Sequence, residues 1–148
     1  MYLLDTNVIS ELRKAKVPGK CDQNVLEWVK TVPTSALFLS AITILELETE
    51  VLLVERKDPT QGALLRTWFD SQVIPAFSDR VIPIDFHIAK RCAELHVPNR
   101  CPDRDALISA TALVHGMTVV TRNMNDFSQT IVKVLNPWVL QETPIRNH

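Results

Sequence analysis

The sequence predicts an α/β protein in which a central, mainly parallel sheet lies between helices. Short apolar runs, of the length expected for strands, alternate along the chain with longer segments whose apolar residues recur at helical spacing. Such alternation is typical of a parallel sheet covered on both faces. The chain has 148 residues, 46% of them hydrophobic, which suits one domain with its own core. We therefore expect residues 1–148 to form a single domain.

The first strand is the apolar run from Tyr2 to Leu4, and the first helix spans 6–13 because its apolar residues share one face. The same reasoning predicts helices over 24–32, 42–55, 60–77, 85–96 and 103–115, strands over 36–39, 81–84, 118–120 and 132–135, and a helical turn from residue 123. Pro75 should bend or break its helix, and Pro83 indicates an edge strand. Gly116 should end its helix, and a tail should begin at about residue 136.

Composition excludes several classes of protein. The formal net charge is −1, so the chain is not a broadly basic nucleic-acid-binding protein. Its apolar runs are too short to cross a bilayer, which takes about 20 residues, so we expect no membrane span. The first residues lack the basic start of a signal peptide. Three cysteines at loose spacing indicate reduced thiols, and hence a cytoplasmic protein.

Five acidic residues fall near the carboxyl ends of the predicted strands: Asp5, Glu46, Asp103, Asp105 and Asp126. Each has an ordinary structural interpretation as a helix cap or a first-turn acid, and Glu46 completes a capping-box pattern that starts at Thr43. Glu46 and Asp105, however, belong to helices that are apolar on most sides. Ligands of open α/β sheets bind at this edge, where several carboxylates would repel one another. A divalent cation would remove that repulsion, and oxygen ligands suit Mg²⁺ or Mn²⁺.

Four segments of the chain resemble the PIN domain family, and in particular its VapC-type toxins of type II toxin–antitoxin systems. They are LLDTNVISEL, LSAITILELE, DRDALISATALVHGMTVVTRNMNDF and the closing NPW, in order from residue 2 to about residue 138. The resemblance implies a three-layer α/β/α sandwich. It also implies a metal-dependent endoribonuclease that cuts structured RNA, such as tRNA or rRNA, and thereby inhibits translation.

The resemblance also implies which residues act. Asp5, Glu46 and Asp105 match the first three acids of the family. The fourth position is open, since many relatives have Asp where this chain has Asn123, and Asp126 is the acid of that segment. The matching supporting positions are Thr6, Asn7, Ser40 and Thr121. We interpret Asp103 as a helix cap, and Lys14, Lys16, Lys20 and Arg122 are candidates for guiding RNA.

A partner is implied as well. A ribonuclease toxin needs a cognate VapB-type antitoxin, and the complex would bind operator DNA through that antitoxin; the resemblance also implies a homodimer. The helix over 42–55 is apolar on more than one face, so it offers a groove for a partner helix. We expect Leu52, Leu53, Trp68 and Phe69 to contact the antitoxin.

Three other interpretations remain open. A phosphatase of the haloacid dehalogenase type would need an acid where Asn7 stands. Cys92, His96 and Cys101 have a passable spacing for zinc, but a fourth ligand is missing unless Asp103 supplies it. The chain could also be a non-catalytic or weakly active subunit that acts with its antitoxin on operator DNA, as Asn123 would suggest. Metal-dependent cleavage of RNA separates this last alternative from the toxin.

Overall fold

The computed structural model describes residues 1–139 and contains one five-stranded sheet in which all the paired strands are parallel. The strands are β1 (Tyr2–Leu4), β2 (Leu37–Ser40), β3 (Val81–Ile82), β4 (Thr118–Val120) and β5 (Val134–Leu135). Their spatial order is β3-β2-β1-β4-β5, which puts β1 in the centre. Leu3 pairs with Phe38 on one side and with Val119 on the other. The carboxyl ends of β1, β2 and β4 therefore meet at one edge.

Seven α-helices connect these strands. They are α1 (Thr6–Arg13), α2 (Gln23–Thr31), α3 (Ala41–Lys57), α4 (Pro59–Trp68), α5 (Ile74–Phe77), α6 (Phe86–Leu95) and α7 (Asp103–His115). Short 3₁₀ turns occupy Lys14–Lys16, Thr34–Ala36 and Met124–Phe127. Gly116 ends α7 in the left-handed conformation, with φ 65°, as its position predicts. Within residues 1–139, no helix combines the length and the apolar character that crossing a membrane requires.

The core is divided by the sheet. Leu3 belongs to a buried cluster with residues of α6 and α7, such as Ile88 and Ile108, whereas Leu4 belongs to a second cluster with Val8 of α1 and Leu47 of α3. Successive residues of a strand point to opposite faces, so a strand buried on both sides reads as a continuous apolar run. The prediction of a three-layer α/β/α sandwich is confirmed.

Many predicted boundaries shift by one or two residues, and two of the differences lie next to prolines. The helix predicted over 60–77 is interrupted by a π-helical segment, Phe69–Val73, and Pro75 lies in the first turn of α5 just after it. Proline has no N–H to donate to the preceding turn, so the change of register upstream accommodates it. Strand β3 stops at Ile82, before Pro83, and it is an edge strand as Pro83 suggests.

The end of the chain also differs from the prediction. Asn136 and Trp138, assigned from sequence to a tail, are tied to the body: Asn24 Nδ2 donates to the backbone oxygen of Trp138 at 2.8 Å. The Trp138 ring packs against the second core cluster. The rest of the predicted tail, residues 140–148, lies outside the described residues.

Candidate active site

A cleft of about 460 Å³ opens at the carboxyl edge of the sheet. Its lining residues are Asp5, Thr6, Asn7, Ser10, Glu11, Lys14, Glu46, Asp105, Arg122, Asn123, Asp126 and Trp138. The three acids predicted from the family motifs and both candidates for the fourth position are among them. They come from four separate stretches of sequence, and the topology of the sheet brings them together.

Asp5 stands where the central strand β1 ends and α1 begins. Its Oδ1 accepts the backbone N–H of Thr6 at 2.8 Å, so it does cap α1. Its Oδ2 accepts the hydroxyl of Thr121 at 2.9 Å. Burial raises the pKa of Asp5, these hydrogen bonds oppose the rise, and the charge of Asp126 adds to it. Asp5 is thus held both by the backbone of Thr6 and by Thr121, which directly follows the neighbouring strand β4, so its carboxylate has one fixed orientation.

Glu46 faces the cleft from α3. Its Oε1 accepts the hydroxyl of Thr6 at 3.0 Å, and its Oε2 lies 3.9 Å from Nη1 of Arg104. The capping-box interpretation is wrong, because α3 begins earlier and Ser40 caps it through an N–H bond from Ile42 at 3.0 Å. Burial is also the main cause that raises the pKa of Glu46, and the charge of Asp5 raises it further. Glu46 is therefore a site residue that Thr6 orients.

Asp105 lies in the first turn of α7. Burial and then the charges of Asp126, Asp5 and Glu46 raise the pKa of Asp105 to about 6. The interpretation of Asp103 as a cap is wrong: Pro102 occupies the N-cap position and Asp103 is the first residue of the helix. The Asp103 side chain is 69% exposed. Asp103 and Asp105 thus lie in the same helical turn, but Asp103 is exposed and Asp105 lies inside the acidic cleft.

Asn123 and Asp126 both line the cleft and are exposed. Asn123 caps no helix through its side chain, although it precedes a 3₁₀ turn. The charge of Asp126 raises the pKa of both Asp5 and Asp105, so this carboxylate lies close enough to act on both. Both candidates for the fourth position therefore lie in the cleft, and Asp126 is the one that carries a charge there.

The supporting positions connect these acids. Asn7 Nδ2 donates to Thr121 Oγ1 at 3.1 Å and lies 3.5 Å from Asp5 Oδ2. Thr121 is buried, and its hydroxyl also accepts the backbone N–H of Asn123 at 3.1 Å. Asp5 and the loop that carries Asn123 therefore share one hydrogen-bonded frame. Ser40 is fully buried and serves as the cap of α3.

The donor chemistry of the cleft fits a hard divalent cation. Its carboxylate and amide oxygens are the ligands that Mg²⁺ and Mn²⁺ prefer. Burial, and then the neighbouring acids, raise the pKa of Asp105, and a bound cation would oppose both effects. Among residues 1–139, no three acidic, histidine or cysteine side chains are close enough to hold one ion directly. An ion held here would complete its coordination with water, as Mg²⁺ usually does.

The contacts of His96 do not support the zinc alternative. His96 Nδ1 accepts the backbone N–H of Cys101 at 3.0 Å, and its Nε2 lies 3.8 Å from Cys92 Sγ and 3.6 Å from Asp103 Oδ1. Both ring nitrogens are engaged in packing the loop between α6 and α7. Within residues 1–139, these side chains do not form a group that could hold a metal ion.

Four residues in or beside the cleft were not predicted from the sequence. Ser10, Glu11 and Trp138 line the cleft, and Arg104 lies 3.9 Å from Glu46. Helical spacing could have found two of them, because residues 7, 10, 11 and 14 lie on one face of the first helix. Of the candidate cations, Lys14 and Arg122 line the cleft. Trp138 carried a signal in the NPW segment, but nothing in the sequence shows that it reaches the cleft.

Fold and cleft together define an α/β sandwich with an acid cluster at the ligand-binding edge of a parallel sheet. The chain belongs to the PIN domain family, whose model matches residues 2–132. It is 34% identical over 143 residues to "VapC ribonuclease Y4jK" of Sinorhizobium fredii, covering 93% of this chain and 98% of the relative. It is 33% identical over 143 residues to "Toxin FitB" of Neisseria gonorrhoeae, covering 93% and 99%. The resemblance to VapC-type toxins is confirmed.

Two solved structures agree with the assignment of this chain to the PIN domain family. The crystal structure of FitAcB from Neisseria gonorrhoeae superposes with a TM-score of 0.83 and 32% identity, covering 95% of this chain and 100% of that chain. The structure of FitAB bound to an IR36 DNA fragment superposes with a TM-score of 0.84, at 32% identity, over 96% and 99% of the two chains. The fold and the family are thus established together.

Proposed function

We propose that this protein is the ribonuclease toxin of a toxin–antitoxin pair, a divalent-cation-dependent endoribonuclease that cuts structured RNA such as tRNA or rRNA. The observation that carries the proposal is the convergence of Asp5, Glu46, Asp105 and Asp126 in one cleft at the carboxyl edge of the sheet. Relatives across nearly the whole chain are named VapC ribonuclease and Toxin FitB. Loss of translation would follow from loss of the RNA that is cut.

Asp5, Glu46 and Asp105 would hold Mg²⁺ or Mn²⁺ together with water molecules, with Asp126 or Asn123 completing the set. A bound cation supplies Lewis-acid chemistry, which activates a water molecule and neutralises charge on phosphate oxygens. The protein orients the carboxylates: Thr6 binds Glu46, while Thr121 and the N–H of Thr6 bind Asp5. Such outer contacts fix the ligand oxygens before the substrate arrives.

The test is cleavage of total cellular RNA by the purified chain with Mg²⁺, Mn²⁺ or a chelator. Asp5→Asn keeps the shape of the side chain and removes its charge, so we expect activity to fall by at least about 100-fold. Asp103→Asn is the matched control, because it removes an exposed acid two residues from Asp105. Mapping the cut ends identifies the target. Full activity of Asp5→Asn, or equal activity in chelator, contradicts the proposed metal site.

We also propose an antitoxin partner that covers the apolar surface of α3. Leu52 and Leu53 are 54% and 64% exposed, as the prediction of a partner contact requires. Trp68 is half-buried under the guanidinium of Arg13. Phe69 is 1% exposed, so its predicted place on this surface is wrong; it follows the buried Leu65 by one helical turn and faces the core.

The partner is tested by co-expressing this chain with the gene of its VapB-type antitoxin and purifying the two proteins together. Leu53→Glu places a charge on the surface of α3 and should prevent co-purification, whereas Ile131→Glu, at a residue 77% exposed elsewhere, should not. Co-purification of both variants would show that α3 is not the contact. FitAB is described as bound to DNA, so we infer that operator binding here also requires the complex.

Two further expectations belong to the same proposal. The chain is expected to form a homodimer, and sedimentation velocity of the purified protein measures this directly. We place it in the cytoplasm, because Cys21, Cys92 and Cys101 are all free and buried thiols. Fractionation of the host cells tests the location.

A further inference from the structure

The cleft has a second wall that is basic and aromatic. Arg122, Lys14 and Trp138 line the same cavity as the acids. The guanidinium carbon of Arg122 lies 5.5 Å from the centre of the Trp138 ring, within the range of a cation–π contact. Arg122 is exposed and Trp138 is half-buried, so the pair places a positive charge beside an aromatic ring on the wall of the cleft.

This pair is fixed by the NPW segment. Asn136 Nδ2 donates to the backbone oxygen of Arg122 at 3.4 Å, and Asn136 Oδ1 accepts the backbone N–H of Trp138 at 2.9 Å. Asn24 holds the backbone oxygen of Trp138 from α2 at 2.8 Å. The Asn136 side chain therefore bridges Arg122 and Trp138, and Asn24 of α2 anchors Trp138.

A chain of hydrogen bonds sets the spacing between this wall and the acids. Asp5 accepts the hydroxyl of Thr121 at 2.9 Å, and Thr121 accepts Asn7 Nδ2 at 3.1 Å. Asn7 Oδ1 then accepts the backbone N–H of Arg122 at 3.3 Å. These hydrogen bonds connect Asp5 to the backbone of Arg122 and so position the Arg122–Trp138 pair relative to the acids.

Lys14 is held on the same wall by a buried acid. Glu11 is 8% exposed, and its two oxygens accept Lys14 Nζ and the backbone N–H of Asp22, both at 2.8 Å. The hydrogen bond from Lys14 lowers the pKa of Glu11 most, and the bond from Asp22 and the charges of Lys14 and Arg122 lower it further against the effect of burial. A buried carboxylate in this place orients a cation toward the cleft.

We infer that Arg122 and Trp138 form a nucleotide subsite, in which a base of single-stranded RNA stacks on the pair while its phosphate contacts Arg122 and Lys14. The inference rests on the proposed function, because it takes the scissile phosphate to lie at the acids. Unpaired bases stack on aromatic rings and on guanidinium planes, and cations alongside hold the backbone. The subsite would select a flexible loop over a duplex, because only a splayed base can enter it.

The experiment measures binding separately from cleavage. A short labelled single-stranded RNA of mixed sequence is titrated with the full chain in chelator, and the anisotropy of the label is followed. We expect Trp138→Ala to weaken binding about tenfold and Trp138→Phe to stay within about twofold of the natural chain, since an aromatic face remains. Arg122→Gln should also weaken binding. The thermal melt of each variant shows whether it is folded.

Phe77→Ala is the matched control. Its ring also lies under an arginine, with the guanidinium carbon of Arg80 at 5.4 Å, and it is half-buried, but it belongs to α5 and does not line the cleft. It should bind RNA as the natural chain does. If folded Trp138→Ala and Arg122→Gln also bind as the natural chain does, the subsite is wrong, while metal-dependent cleavage by the natural chain still supports the proposed function.

The other outcomes are equally distinct. Weakened binding by both variants, together with no cleavage by the natural chain under any metal, supports the subsite and overturns the proposed function. A natural chain that neither binds nor cuts RNA overturns both.

Discussion

Replacing Asp105 by asparagine should stabilise the metal-free protein at neutral pH. Burial and crowding raise the pKa of Asp105 from its ordinary value of 3.8 to about 6. The whole rise corresponds to about 3 kcal/mol at 1.4 kcal/mol per tenfold change in proton affinity. Because the carboxylate is partly exposed, solvent screening reduces this to about 1 kcal/mol. The asparagine side chain carries no charge, so the variant escapes that cost.

Proton linkage determines how this gain in stability depends on pH. A carboxyl whose pKa is higher in the folded state binds protons more tightly there, so its contribution to stability falls as the pH rises from about 4 to 6 and stays low above 6. The gain from Asp105→Asn should therefore be present at pH 7.5 and absent near pH 4. For a domain of this size, about 1 kcal/mol corresponds to a rise of about 3 °C in Tm.

Thermal melts followed by circular dichroism in chelator provide the assay, with Asp103→Asn as the control. Both substitutions remove a first-turn acid that the helix dipole stabilises, so the difference between them reports the burial and the charge crowding of Asp105 in the cleft. Added Mg²⁺ should raise the Tm of the natural chain more than that of Asp105→Asn, since a ligand stabilises only the form that binds it. An Asp105→Asn protein that melts no higher than Asp103→Asn at pH 7.5 refutes this reasoning.

Three further outcomes are expected. Gly62→Ala should cost about 1–3 kcal/mol in urea unfolding, because its Cβ would lie 2.8 Å from the backbone nitrogen of Glu55 and force α3 and α4 apart. Asp126→Asn should lower metal affinity in calorimetry more than Asn123→Ala does, and the reverse order would assign the fourth position to Asn123. Thr6→Val should reduce cleavage about 10–100-fold without loss of fold, since Glu46 loses its orienting hydrogen bond.

Local signals were sufficient to predict the sheet, whereas the resemblance to the PIN domain family singled out Asp5, Glu46 and Asp105 among the acids. The order of strands and helices follows from apolar periodicity, and Asp5 and Asp105 lie at element ends that the sequence marks. Glu46 illustrates the limit. Its capping-box pattern is local, but the contact it makes is with Thr6, forty positions away in the sequence. Tertiary contacts of that kind leave no short-range trace.

Of the aromatic residues, Phe69 was predictable from the sequence and Trp138 was not. Phe69 follows the buried Leu65 by one helical turn, so helical spacing places it on the core side, whereas Trp68 lies on a neighbouring face and is half-buried. Trp138 lies beyond β5, and its place in the cleft depends on Asn24 and Asn136. Sequence periodicity does not report that tertiary arrangement.

The proposed nucleotide subsite would allow a chain of net charge −1 to hold RNA beside an acidic site. Affinity would depend on the two cations of the cleft, Arg122 and Lys14, instead of on a broad basic face. Single-stranded nucleic acid gives a logarithmic salt dependence of about −0.7 per neutralised phosphate, so the slope measured in chelator should lie between about −0.7 and −1.4. Arg122→Gln should bring it toward the smaller value. A slope several times steeper would mean that RNA is held by cations outside this cleft.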